Sequence, residues 1–456
     1  MGIFKACDIR GVYGNDLTDE IVYRIGRALG TILAGKSVIV GGDVRRSTPS
    51  LKAKVSQGLV ESGAEVLDIG IVPTPVFYFA RRCLGLEPGV MVTASHNPAE
   101  FNGLKIVLGP LPITEDELRR VGDLAERGAF REGQGSIRAL EIIPEYRRFI
   151  SSVLPAEQQA HLVKIVIDCG NGCNSELAPD LFRRFGFHIE ELYCTPDGIF
   201  PNRNPNSADP GNLDGLIRTV RSAKADVGVA FDGDGDRVAF VDDRGRFLPG
   251  DKAIVIMARS LLTAHRGEKV VYDLKCSSIV PEAVAEAGGI PLAERSGHTF
   301  IRARMISENA LFGAEISGHY FYRDLGGGDD GIYSALLMAN MLARTGRSLS
   351  DLADEVPAYE NTPDIRVSFA GNREDLIKRI ASAFPAERVS KLDGVRIEFN
   401  GGWALARPSV TEPAITFRFE AESRNRLDAI IDEFLRPVPE IESGVRHNLV
   451  DRGSEE

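Results

Sequence analysis

Three aspartates alternate with glycine in DGDGDR (residues 232–237), directly after the apolar run ADVGVAF. In a fully extended strand Asp232 and Asp236 would stand roughly 13 Å apart, too far to share one ion. Gly233 and Gly235 let the chain curl until Asp232, Asp234 and Asp236 converge. Converged carboxylates repel one another unless a hard divalent cation neutralises them. A calcium loop of the EF-hand kind fails here. Its required glycine position holds Arg237, its closing glutamate position holds Asp243, and a strand precedes it. Magnesium fits better than calcium; the plain alternative is a solvated acidic turn.

Four further segments carry chemistry. In TASHNP (93–98), Ser95 stands where an apolar strand breaks, beside His96 and Asn97. A serine hydroxyl needs a base or a metal to become a nucleophile, and the same residues could equally form an Asx or Ser turn. FNGLK follows, with Asn102–Gly103 expected as a turn presenting Lys105. In GAEISGHY, Glu315, Ser317 and His319 would share one face of a strand at period two, a set suited to sugar hydroxyls or to a polar strand edge. In RPSVTEP, Arg407, Ser409 and Thr411 offer a guanidinium fork and two hydroxyls, a fit for phosphate. DIRG, DLKC and SGHTF add Arg10, Lys275 and His298, of which a lone histidine is by itself more often structural.

The rest of the sequence limits the field. Among 456 residues, 54 Lys and Arg against 65 Asp and Glu leave a net charge of −11 with no long basic run, which argues against nucleic acid. It does not exclude a small anion, because a few local cations can build a positive pocket. No stretch of about 18 apolar residues is present, so no membrane span is expected, and MGIFKACDIRG has no apolar signal core. Six cysteines form no disulfide framework, and Cys169 and Cys173, the closest pair in sequence, lack partners for a zinc set. A reduced, cytoplasmic protein is expected.

To hold these residues the chain repeats one pattern three times: strand, helix, strand, then a third strand ending in polar residues. The passes begin at KSVIVGGD, VKIVIDCG and EKVVYDLK, and the third strands end at Ser95–Asn97, Asp232–Arg237 and Glu315–His319. Ligands collect beyond the carboxyl ends of strands in open α/β sheets, so three equivalent tips facing one cleft would make a composite site. After about residue 360 the texture changes to a smaller α+β unit with a hairpin near Asn400–Gly402 and a final helix over SRNRLDAIIDEFLR, with HNLVDRGSEE as a frayed tail. The expected fold is three related α/β domains with mixed, largely parallel sheets and a C-terminal α+β domain with an antiparallel sheet, around a central cleft. Their bounds are 1–142 with the serine loop, 143–248 with the aspartate loop, 249–359 with the sugar loop, and 360–456 with the phosphate loop.

DIRG (8–11), TASHNP, DGDGDR, GHTF (297–300), EISGH and RPSVTEP, in that order and across nearly the whole chain, resemble the α-D-phosphohexomutase family, in its phosphomannomutase/phosphoglucomutase branch. The resemblance implies roles. Ser95 would carry a phosphoryl group, with His96 counted among the catalytic residues. Asp232, Asp234 and Asp236 would hold one magnesium ion, with the serine oxygen as a further ligand. Arg10 and Arg237 would stabilise the transferring group, and Lys105 and His319 would be the general acid and base. Lys275, His298, Glu315, Ser317, Arg407, Ser409 and Thr411 would bind a hexose monophosphate, which turns over through a 1,6-bisphosphate. One departure is Val410, where the family usually has Gly or Asn. The glucosamine branch tends to carry Gln at the position of Ile316, so EISGH leans toward mannose and glucose. Phosphoglucosamine mutase is the nearest alternative. A magnesium-dependent phosphatase and a non-catalytic phosphosugar-binding protein are more distant ones. The expected state is a monomer or homodimer whose partner is a small phosphosugar.

Overall fold

The computed structural model describes residues 2–408 and 414–450. Ser409, Val410 and Thr411 of the expected phosphate loop lie outside the described residues. Strands β1 (Ile9–Val12), β2 (Ser37–Gly42), β3 (Glu65–Ile71), β4 (Gly89–Val92), β5 (Phe101–Val107) and β6 (Ser136–Ala139) form the first sheet, in the order β1-β5-β4-β2-β3-β6. Here β2 runs parallel to β3 and β4, and β5 returns antiparallel beside β4. The second sheet has the order β11-β10-β9-β7-β8, from β7 (Lys164–Asp168), β8 (His188–Leu192), β9 (Val227–Phe231), β10 (Val238–Asp242) and β11 (Phe247–Leu248). The third has the order β13-β12-β14-β15-β16, from β12 (Lys269–Asp273), β13 (Ile290–Glu294), β14 (Phe312–Ala314), β15 (Tyr320–Tyr322) and β16 (Gly328–Asp329).

The threefold repeat is therefore real in space. Each sheet holds a parallel triplet with its first strand in the middle (β3-β2-β4, β8-β7-β9, β13-β12-β14), followed by an antiparallel return (β5, β10, β15). Val- and Ile-rich strands such as SVIVGG and KIVID are buried along nearly their whole length because helices cover both faces. The helices Thr48–Glu61, Leu177–Arg184 and Ile279–Glu286 make the equivalent crossovers. The sheets are more evenly mixed than the sequence suggests, since each antiparallel return brings another antiparallel neighbour with it: β1, β11 and β16.

The fourth sheet is antiparallel throughout its described pairs: β17 (Glu360–Asn361), β18 (Ile365–Ser368), β19 (Val389–Ser390), β20 (Val395–Phe399), β21 (Gly402–Pro408) and β22 (Ala414–Ala421). The hairpin at Asn400–Gly402 joins β20 to β21 as expected. One continuous apolar core runs through the first three domains, from Ile39 by Phe182 to Leu342, while the fourth keeps its own around Phe417, Phe419 and Phe434. No helix among the described residues is long and apolar enough to cross a membrane.

Two local expectations are corrected. The expected frayed tail, 447–456, is helical over its described part: a further helix, Pro439–Val450, buries Ile441 and Val445 against β18, and residues 451–456 lie outside the described residues. Its apolar spacing (Ile441, Val445, Leu449) was hidden by the polar residues around it. Asn102–Gly103 is not a turn either; both residues lie inside β5. A Cβ at Gly103 would lie 2.2 Å from the Ile9 carbonyl oxygen and 2.8 Å from that of Thr93, so glycine is there for close approach of backbones. Gly103→Ala is expected to cost about 1–3 kcal/mol, read as a lower urea midpoint.

Candidate active site

The first tip begins where β4 ends. Thr93 Oγ1 accepts the Ser95 backbone N–H at 2.8 Å, and Ser95 adopts φ +49°, a left-handed conformation uncommon for a residue with a Cβ. Holding it there costs on the order of 1–3 kcal/mol, so the surroundings must impose it. The side chain is buried; its Oγ donates to Asp232 Oδ2 at 2.8 Å and lies 3.3 Å from His96 Nδ1. Burial, then the positive Arg237 and Arg10, hold His96 well below the usual imidazole range, so the ring is neutral. Arg10 donates to Asn97 Oδ1 at 2.6 Å and to Asp8 Oδ2 at 2.5 Å.

The second tip curls as its glycines allow. Asp232 Oδ1 accepts the backbone N–H groups of Gly235 (3.0 Å) and Arg237 (3.1 Å), and Gly235 has φ +78°. One carboxylate oxygen from each of Asp232, Asp234 and Asp236 lies within 4.8 Å of the others, and all three residues are buried. Burial, then Asp236 and Asp234, push the Asp232 carboxyl up to about 8. Asp234 Oδ1 and Asp236 Oδ1 are buried without a hydrogen-bond partner. Orphaned anionic oxygens on a converged set of hard donors fit a divalent cation.

Lys105 reaches this cluster from β5. Its Nζ donates to Asp234 Oδ2 at 2.8 Å and to Asp236 Oδ2. Burial works against its charge, but Asp234 and Asp236 outweigh it, so Lys105 is held well above the ordinary amine range. Thr74 Oγ1 also donates to Asp234 Oδ2, at 2.6 Å.

The third tip corrects the period-two reading. Residues 315–319 form a tight turn between β14 and β15, closed by Glu315 N–H to the His319 carbonyl at 2.9 Å, with Gly318 at φ +90°. Glu315 and His319 therefore meet across a turn, while Ser317 sits half-buried at its tip. An isolated bridge between Arg237 and His319 joins the second tip to the third. His319 Nδ1 lies 2.7 Å from Asp329 Oδ2, and its Nε2 accepts from Arg237 Nε at 2.7 Å, which places the ring proton on Nδ1. Burial lowers His319, but the Asp236 and Asp329 carboxylates more than compensate and raise it above its ordinary value. Glu315 Oε1 accepts the Gly297 N–H at 2.6 Å, and burial raises its carboxyl. His298 starts the next helix with its ring 6.0 Å from that of His319; burial, then Lys105 and His319, lower it to about 4.

Lys275 bridges to the fourth domain, donating to Asp364 Oδ2 at 3.0 Å. Lys275, Arg418 and Arg407 hold the Asp364 carboxyl below its usual range against its burial. Arg407, on β21, pairs with Asp393 at 2.9 Å. Between the domains lies a cavity of about 900 Å³, lined by Arg10, His96 and Asn97 of the first, Arg237 of the second, His298 of the third and Arg366 of the fourth. Five site residues escaped sequence reasoning: Arg45, Thr74, Asp329, Arg366 and Arg418. The signal for Arg45 was available, because GGDVRR also follows a strand. Asp329 sits in GGGDDG, which reads as a mere loop.

A structure of this geometry has relatives. Four families of phosphoglucomutase/phosphomannomutase match: α/β/α domain I over residues 1–132, domain II over 144–245, domain III over 249–359, and the C-terminal domain over 363–436. The phosphomannomutase/phosphoglucomutase of Pseudomonas aeruginosa is 36% identical over 453 residues, covering 97% of this chain and 96% of that protein. The phosphoglucomutase of Neisseria gonorrhoeae is 34% identical over 445 residues, covering 95% of each. A crystal structure of a phosphoglucomutase/phosphomannomutase family protein from Burkholderia thailandensis superposes with a TM-score of 0.89 at 34% identity, covering 97% of both chains. With all four domains matched and the three strand tips gathered at one cleft, the chain belongs to the phosphoglucomutase/phosphomannomutase family of α-D-phosphohexomutases.

Proposed function

We propose that this hexose phosphate mutase interconverts the 1- and 6-phosphates of mannose and glucose, through a phosphoserine at Ser95 and a hexose 1,6-bisphosphate that turns over in the cleft. The observation that carries the reading is the Ser95 hydroxyl 2.8 Å from Asp232 of the converged carboxylates, beside a cavity to which all four domains contribute a positive or imidazole group. Asp232, Asp234 and Asp236 would hold magnesium, which when bound supplies charge stabilisation for phosphoryl transfer. Arg10 and Arg237 line the cavity and orient the transferring group. Lys105 holds a proton against Asp234 and Asp236, and His319 Nε2 becomes a base when Arg237 turns to phosphate. Lys275, Arg407 and Arg418, with Ser409 and Thr411, take the phosphate that is not reacting. Glu315 and Ser317 face the sugar, and His298 closes that side. Such a division lets one sugar bind in two orientations. The six cysteines are free, and we place the enzyme in the reducing cytoplasm.

The test is a panel of mannose, glucose and glucosamine 1-phosphates, each with a trace of the matching 1,6-bisphosphate. Mannose and glucose substrates are expected to yield 6-phosphates at rates within about tenfold of each other, since one axial–equatorial difference is worth little in a site that turns its substrate over. Preference for glucosamine would shift the assignment to phosphoglucosamine mutase, and release of inorganic phosphate in place of 6-phosphate would make the enzyme a phosphatase.

A further inference from the structure

Arg45 lies in the loop after β2, and its side chain has no exposed surface. A guanidinium has five N–H donors in a fixed fork, and here every one is used. Nε donates to Asp43 Oδ2 at 3.0 Å. Nη1 donates to the carbonyls of Pro98 (2.5 Å) and Phe101 (3.0 Å), and Nη2 to those of Ser95 (2.8 Å) and Asn97 (2.6 Å). Four carbonyls of one loop thus converge on a single planar group, and the loop is wrapped around it. Asp43 is itself fixed by Thr48 Oγ1 at 2.6 Å and caps the Arg45 backbone N–H at 3.0 Å. The far side is closed by the second domain. The Phe200 ring lies 5.1 Å from the guanidinium carbon, and a Cβ at Gly233 would sit 2.5 Å from the Ser95 carbonyl oxygen. The Ser95 peptide is therefore gripped between Arg45 and the aspartate loop.

We infer that Arg45 is a positioning residue for phosphoryl transfer: by holding the Ser95 carbonyl it imposes the left-handed backbone that aims Oγ at the aspartate cluster. The inference rests on the reading of Ser95 as the phosphoryl carrier. Lysine at this place keeps a positive charge beside Asp43 but has three donors on a rotating ammonium, so it cannot satisfy four carbonyls and a carboxylate at once. Without the fork, Ser95 relaxes out of its φ of +49° and Oγ swings away from its line of transfer. Arg45 has no surface in the cleft, so binding of the sugar phosphate is untouched.

The experiment labels Ser95 with radioactive phosphate from glucose 1,6-bisphosphate, then follows discharge to excess glucose 1-phosphate in a single turnover, for wild type, Arg45→Lys and Arg45→Ala. Discharge and kcat are expected to fall about 100-fold in Arg45→Lys, as a misplacement of about 1 Å does, with KM within about twofold of wild type. Should Arg45→Ala fail to fold, Arg45→Lys alone decides. Folded Arg45→Lys that discharges at the wild-type rate, or that loses efficiency through KM with kcat unchanged, overturns the inference. Wild-type enzyme that takes no label on Ser95 removes the phosphoserine reading and this inference with it.

Discussion

Ser95→Ala is expected to lose phosphoryl exchange by on the order of 10⁴-fold or more in both directions, while its melting temperature stays within a few degrees. The two halves of that expectation have separate physical origins. On the proposed mechanism activity depends on an oxygen that can accept and return a phosphoryl group, and alanine has none. Stability depends on the backbone, and alanine pays the same cost as serine for a φ of +49°. What is lost is the hydrogen bond to Asp232 Oδ2 and the longer contact with His96 Nδ1, about 1–2 kcal/mol together, because the two amide bonds to Oδ1 are independent of them. Intact-mass analysis before and after incubation with bisphosphate should place one phosphate on the wild-type chain and none on the variant. Turnover near the wild-type rate in Ser95→Ala would sink the covalent mechanism.

Removal of the cation should be nearly as severe. Excess chelator, or Asp232→Asn, is expected to lower turnover by about 10³-fold or more. Asp232 is the informative position because burial and its two neighbours lift its carboxyl to about 8. Of the three aspartates its carboxyl is the one pushed up, so it is the one most readily protonated when the cation is removed, and asparagine imitates that neutral form. The amide oxygen of Asn can still accept from Gly235 and Arg237, and the loop keeps its shape. The variant should therefore fold like wild type but fail to respond to magnesium. Wild type should gain about 2.7 kcal/mol of stability when magnesium stands at 100 times its dissociation constant. Protons and cation compete for the same oxygens, so wild-type magnesium affinity should rise as the pH rises toward 8 and fall below it. A wild-type enzyme that turns over undiminished in excess chelator contradicts this account.

The sequence made legible those features whose physics is local. Alternating Asp and Gly can converge only by curling, and the loop does so. Repeated Val- and Ile-rich strands with intervening helices imply parallel triplets, and three are present. Features set by distant packing stayed hidden. Asn-Gly is a strong turn signal, yet Asn102–Gly103 lies in β5, because β1 approaches so closely that only glycine fits beside it. Alternation suggested a strand through Glu315 and His319, but the antiparallel return of β15 needs a turn at that place. Asp329 carries no signal of its own. It acquires meaning only when β16 pairs with β15 and sets its carboxylate 2.7 Å from His319. Arg45 is marked by its place after a strand, but its role shows only when a loop 50 residues later closes around it.

The Ser95–Asp232 hydrogen bond spans 137 residues of chain, and the Lys105–Asp236 pair spans 131. At about 5–20 residues per second a ribosome needs several seconds to some tens of seconds to deliver the aspartate loop after the serine loop, and longer to deliver His319 and Asp329. During that interval the first domain can fold around its own helices, but its strained serine faces no carboxylate and no closing imidazole. A nascent or truncated chain consequently lacks part of the site that the proposed mechanism needs to charge Ser95. On the proposed mechanism, phosphate on Ser95 would mark molecules whose synthesis has passed the third domain.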